Sequence, residues 1–275
     1  MRVGSMGKLK VGIIGCGTIG SELAIACQTI LKERIDLAGI CDADEKKAAT
    51  LQKSLKNNVP VLKLEDLISK SDLLVEAASA KISADILVEA TKNKKDILIM
   101  SIGGLLGKES LLKKADDAGI KVYLPSGALC GVDGLKSASV GRIDSVRLTT
   151  RKPLKGLEGA PYLKEKNIKL QDVKEETVIF DGTAVEAMKG FPQNVNVCAA
   201  LSLAGIGADK TRVKIVTSPG YTKNIHEVQI SGEFGNILTR TENVPSRSNP
   251  KTSQLAVFSA IATLKGIVRN VRVGT

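Results

Sequence analysis

The stretch Leu9-Lys10-Val11-Gly12-Ile13-Ile14-Gly15-Cys16-Gly17-Thr18-Ile19-Gly20 decides how the chain folds. Its first seven residues are a short apolar run ended by glycine, the pattern of a strand buried on both faces. After Gly20, SELAIACQTILKE spaces its apolar residues as a helix does. The junction reads Gly15-x-Gly17-x-x-Gly20. Those letters alone are weak in a chain with 26 glycines, but a strand before them and a helix after them make them specific. Gly15 is expected to turn tightly, Gly17 to let a pyrophosphate approach the backbone, and Gly20 to let helix and strand pack closely. Thr18 and Ile19 fall in the first helical turn, where free N–H groups and the positive dipole end favour phosphates. The competing reading is a glycine turn that merely opens a helix.

A second apolar strand, Ile35–Cys41, stops at Asp42. A carboxylate there is placed to accept hydrogen bonds from the adenosine ribose hydroxyls and repels a 2′-phosphate. NAD is therefore the expected cofactor, with NADP as the alternative because Lys46 and Lys47 lie close in sequence. If the strand ran two residues longer, Asp44 would take the ribose instead. Strand candidates at 59–63, 72–79, 96–101 and 120–126 alternate with helix-like, Lys-rich stretches, which argues for a parallel sheet covered on both faces. Ala78 and Ser79, small residues ending one strand, would let a cofactor lie close, or would simply make a tight turn.

Beyond Pro125 the pattern changes. SVRLTTRK (145–152), TVIFDG (177–182), RVKIVTSP (212–219) and HEVQISGEF (226–234) are rich in β-branched residues and partly alternate. One helix is expected among them, at Val195–Leu203, and a last helix over 253–268 is expected to return to the first domain. The fold class is thus α/β: a Rossmann dinucleotide-binding domain at 7–124 with 250–275, and a second, α+β mixed-sheet domain at 125–249 for substrate and dimerisation.

Composition narrows the partners. With 275 residues, 43% hydrophobic and 25% charged, the chain has enough apolar material for two cores and is neither a disordered tail nor a disulfide-stapled miniprotein. It has no apolar run of the ~18–20 residues a spanning helix needs. Its five cysteines show no CxxC and no His/Cys metal spacing, which fits reduced thiols in a cytoplasmic protein without a metal site. The net charge of +11 comes from lysines dispersed among acids, not from a nucleic-acid stripe, and it favours a small anionic ligand.

His226 is the chain's single histidine. An imidazole with a pKa near 6.5 suits proton transfer in both directions, yet its spacing with Val228 and Ile230 equally suits a structural residue on a buried strand face. Asn194-Val195-Asn196 reads as a helix entry with asparagine as the cap.

Taken together, VGIIGCGTIG, DLLVEAAS, ILIMSIGGL, LPSGALCGVDGL, LTTRKP, FPQNVNVCAALSLAG, NIHEVQISGEFG and NPKTSQLA resemble the L-aspartate dehydrogenase family, in family order over nearly the whole chain. The resemblance implies NAD(P)-dependent oxidative deamination of L-aspartate to oxaloacetate and ammonia through iminoaspartate, a cytoplasmic homodimer, and an imine that can feed NAD biosynthesis. It implies that His226 is catalytic and that Cys130 and Asn196 contact the nicotinamide side, although many members carry alanine at the Cys130 position. The substrate carboxylates are left without a firm partner; Ser126, Asn194, Lys251 and Thr252 are candidates. Two other readings stand beside this one. The first is a same-fold enzyme on another small dicarboxylate or semialdehyde, similar to homoserine dehydrogenase or dihydrodipicolinate reductase. The second is a non-catalytic nucleotide sensor.

Overall fold

The computed structural model describes residues 7–192, 195–246 and 252–275. It divides into two compact units, Met1–Pro125 with Ala260–Arg272, and Ser126–Ser259 with Val273–Thr275. The first unit alternates β1 (Leu9–Ile14), α1 (Thr18–Gln28), β2 (Ile35–Cys41), α2 (Glu45–Ser54), α3 (Leu64–Lys70), β3 (Leu73–Glu76), α4 (Ser83–Lys92), β4 (Asp96–Ile99), α5 (Glu109–Asp117) and β5 (Val122–Tyr123). The five strands are parallel in the order β2-β1-β3-β4-β5. Val11, Ile13, Leu74, Val75, Ile97 and Leu98 are fully buried, as strands covered on both faces require. Order reverses at β1, so the crevice outside the carboxyl ends of β1 and β3 is where such a sheet receives ligands. Ala260 and Leu264, from α10 (Gln254–Ile267), close one side of this unit's core.

One expected strand is absent. Residues 59–63 make only an isolated bridge, Ile40 to Val61, before α3 begins. Pro60 has no N–H to give a ladder, and its carbonyl accepts from Ile40 instead.

The second unit holds α6 (Val132–Ala138), β6 (Ile143–Pro153), α7 (Pro161–Glu165), β7 (Thr177–Thr183), α8 (Ala184–Gly190), α9 (Val195–Ala204), β8 (Arg212–Ser218), β9 (Asn224–Gly232) and β10 (Gly235–Asn243). The sheet order is β10-β9-β6-β8-β7, with β6 and β8 parallel and the other pairs antiparallel. It is a mixed sheet, as expected, but it carries more helix than the single α9 read from sequence. These extra helices are short and locally encoded. The seven-residue α8 is opened by a capping box in which Thr183 and Glu186 satisfy each other's backbone N–H, and α7 starts at Pro161. Neither gives a long periodic signal. Strand β10 was also unexpected: GNILTRTEN is half polar, and its Leu238 is 67% exposed.

A Cβ at Gly20 would lie 1.8 Å from the Gly15 carbonyl oxygen, so Gly20→Ala must push α1 off β1. Chemical denaturation is expected to show a loss of about 1–3 kcal/mol, the usual range for overpacking; an unchanged midpoint would refute the close packing.

Candidate active site

One candidate site is the carboxyl edge of the parallel sheet in the first unit. Gly15 takes φ +99°, and a Cβ there would meet the Ala77 carbonyl at 2.5 Å, so the turn after β1 lies directly on the loop after β3. Gly17 caps α1 with no side-chain partner, is exposed, and has nothing within 4 Å of where a Cβ would stand. Open space beside the first free N–H groups of a helix is a cradle suited to a phosphate. Thr18 and Ile19 are partly buried in that first turn, and Ala78 and Ser79 are exposed across from it. Thus Gly15, Gly17, Gly20, Ala78 and Ser79 gather at one sheet edge.

Asp42 follows the last residue of β2. Its Oδ2 accepts from Cys16 N–H at 2.6 Å and its Oδ1 from Asp44 N–H at 2.8 Å. A carboxylate has about four lone-pair directions, so each oxygen keeps capacity for a ligand hydroxyl. Asp44 serves elsewhere: its carboxylate caps α2 through Lys46 and Lys47 N–H. The strand ends too early for Asp44 to act as a ribose partner. Beside Asp42, a cavity of about 310 Å³ is lined by Cys16, Ser21, Lys46, Lys47 and Thr50, among others. Burial, reinforced by Asp42, pushes the Cys16 thiol up to about 12, so it stays protonated.

Glu76, the last residue of β3, is completely buried. Its Oε1 accepts from Ala78 N–H (2.8 Å), Ser79 N–H (3.1 Å) and Ser101 Oγ (2.9 Å), and its Oε2 from Ser101 N–H (3.0 Å). Burial raises its pKa, and these donors oppose the rise. The sequence showed Glu76 only as a strand end; two of its four donors belong to Ser101, 25 residues away.

The second unit carries its own group of candidate residues on the mixed sheet. Ser126 and Cys130 belong to a loop held to β10 by polar side-chain bonds. Thr239 Oγ1 donates to the Cys130 carbonyl, while Thr241 Oγ1 and Asn243 Nδ2 both donate to the Ala128 carbonyl. Ser253 Oγ donates in turn to Asn243 Oδ1, drawing in the neighbour of Thr252. Thr252 itself offers its carbonyl to Ser246 N–H. The Cys130 side chain is exposed and its carbonyl is engaged, so a cysteine there fits without demanding space. Asn196 is exposed at the second position of α9. Asn194 and Lys251 lie outside the described residues.

His226 sits on β9 directly opposite Thr150 of β6, 5% exposed, on the same side as Val228 and Ile230. Its Nδ1 is 3.1 Å from Thr150 Oγ1. Burial, aided by the positive charge of Lys152, lowers its pKa from 6.5 to about 3. The ring is therefore neutral at neutral pH, the form that can accept a proton. Burial also lowers Lys152 to about 8. Thr150 and Lys152 were not singled out from the sequence. Their signal is a lysine in register with Leu148 and Thr150 on the inward face of a strand. Among the described residues no cluster of His, Cys, Asp and Glu could hold a metal, and no helix is long and apolar enough to cross a membrane.

Residues 133–267 match the family model described as aspartate dehydrogenase, C-terminal, and residues 15–125 match that of the homoserine dehydrogenase NAD binding domain. L-Aspartate dehydrogenases of Methanosarcina mazei and Methanococcoides burtonii are each 48% identical to the chain, over 97% of it and 100% of their own length. The crystal structure of aspartate dehydrogenase from Thermotoga maritima superposes with a TM-score of 0.77 at 28% identity, covering 97% of this chain and 99% of that one. A homoserine dehydrogenase from Thiobacillus denitrificans, at 12% identity and a TM-score of 0.63, shares the fold.

The buried imidazole sets a pH dependence with a definite sign. The unfolded chain binds a proton at His226 below about 6.5 and the folded chain only near 3, so stability is lost as pH falls through that window. The His226 imidazole resonances are expected to stay those of the neutral ring from pH 7 to 4, and His226→Gln should reduce the slope of stability against pH there. A ring that titrates near 6.5 would contradict the burial.

Proposed function

From the premise that the chain belongs to the L-aspartate dehydrogenase family, we propose that it oxidises L-aspartate to iminoaspartate, which hydrolyses to oxaloacetate and ammonia. The observation that carries this reading is the chain's sole imidazole, buried, neutral and fixed opposite Thr150. The reaction removes a hydride from Cα and a proton from nitrogen to make the C=N bond, and water then adds at that carbon as ammonia leaves. When bound, the nicotinamide ring supplies the hydride acceptor. His226 takes the proton, from the substrate amino group or from the attacking water, and a neutral ring is the form able to do so.

The cofactor is assigned to the glycine turn. Gly17 and the first turn of α1 meet the pyrophosphate and Asp42 meets the adenosine ribose. Ala78, Ser79, Cys130 and Asn196 complete the contacts, and the carboxylate of Asp42 biases the choice towards NAD. Ser126 and Thr252 lie in the segments drawn together around Asn243 and are assigned to substrate, with Asn194 and Lys251. A cytoplasmic homodimer that feeds iminoaspartate into NAD biosynthesis completes the reading. The dimer is supported by apolar side chains that the mixed sheet leaves uncovered on its two edge strands, Leu238 (67% exposed) and Val178 (50%).

Two variants separate the roles. His226→Ala is expected to reduce turnover with L-aspartate by about two to four orders of magnitude, the usual weight of general acid–base catalysis, with NAD affinity unchanged. Gly17→Ala should keep stability within about 1 kcal/mol while weakening NAD binding, read by cofactor fluorescence titration. Full activity of His226→Ala would remove the assignment.

A further inference from the structure

A reaction on a dicarboxylate needs a cation where the substrate sits, and the second unit offers one that the steps above leave unused. Lys152 is two residues beyond Thr150 on β6 and so points to the same side of the sheet. His226 is paired directly with Thr150, which makes Lys152 its diagonal neighbour, about 7–8 Å away at the backbone and within reach of a long side chain. Lys152 is half-buried, and together with Thr150 it supplies the polar lining of a cavity otherwise walled by Leu157, Phe191, Val195 and similar residues. That cavity has an open volume of about 10 Å³, room for a single water. A four-carbon acid therefore does not enter it and would meet the amine outside it. The wall is rigid: Phe191 is 1% exposed and packs edge-on against Phe180, with Tyr162 against both. The strand end is fixed as well, by Thr217 Oγ1 donating to the Lys152 carbonyl at 2.7 Å.

We propose that Lys152 binds a carboxylate of the dicarboxylic substrate and so places the substrate beside His226. This rests on the aspartate reading above. An ammonium partly withdrawn from water keeps more of its attraction for an anion than one in bulk water. The same pairing has a second effect. The Lys152 charge disfavours protonation of His226, and a carboxylate that neutralises it lets the imidazole accept a proton once substrate has arrived.

The test compares the wild-type enzyme with Lys152→Met and Lys152→Arg in steady-state NADH formation from L-aspartate, and in direct calorimetric binding of malonate and succinate to the NAD-loaded enzyme. Lys152→Met, which keeps the length and apolar stem, is expected to raise KM for L-aspartate at least about 100-fold and to abolish dicarboxylate binding. NAD affinity should be unchanged, and kcat at saturation should fall by less than about tenfold. Lys152→Arg should recover part of the dicarboxylate affinity. A purely structural lysine would leave KM for L-aspartate alone. Dicarboxylate binding that survives in Lys152→Met overturns the proposal, as does a lost kcat with KM intact. A wild-type protein that binds malonate through Lys152 yet oxidises no aspartate would instead overturn the aspartate reading and leave this site standing.

Discussion

A single buried carboxylate organises the ligand edge of the first unit. Glu76 has no exposure, and its two oxygens gather four donors from the loop after β3 and from Ser101 after β4. A buried carboxyl group is tolerated there because its donors are in position, and removal of one partner leaves a desolvated polar group uncompensated. Its reach extends to the glycine turn. Ala77, next in the chain, donates its N–H to the Ile14 carbonyl and sets its own carbonyl 2.5 Å from where a Gly15 Cβ would be. The open space at Gly17 therefore depends on three strand ends held in register, not on the glycine loop alone.

The second unit solves a different problem, that of keeping a titratable ring uncharged. The ring of His226 is enclosed by the sheet and faces Thr150, with the Lys152 charge beside it. Burial and a neighbouring cation act in the same direction. Around them, Thr241, Asn243 and Ser253 hold the 126–131 loop through the Ala128 carbonyl. These polar groups have partners, so their burial fixes geometry at little cost.

The sequence exposed what is local and hid what is assembled. The glycine turn, the first two strands and α9 are written in contiguous residues, and each appears where the pattern places it. Asp42 and Asp44 were both open as ribose partners until the end of β2 at Cys41 and the capping of α2 by Asp44 separated them. Residues 59–63 looked like a strand by hydrophobicity, but Pro60 denies them a ladder. Lys152 was invisible for a statistical reason, being one of 40 Lys and Arg residues; only register on β6 sets it apart. The state of His226 was equally out of reach, because the atoms that desolvate it come from strands distant in sequence. Its identity was plain and its charge was not.

The reaction turns on the bond that breaks at substrate Cα. L-Aspartate deuterated at Cα, incubated with the protein and NAD in ordinary water, tests it most directly by proton NMR of the recovered cofactor. The expected result is one deuterium at nicotinamide C4 for each oxaloacetate formed, with none incorporated from deuterated solvent in the converse experiment. Oxaloacetate formed without label in the cofactor, or no label transfer under conditions in which NAD is bound, would contradict it.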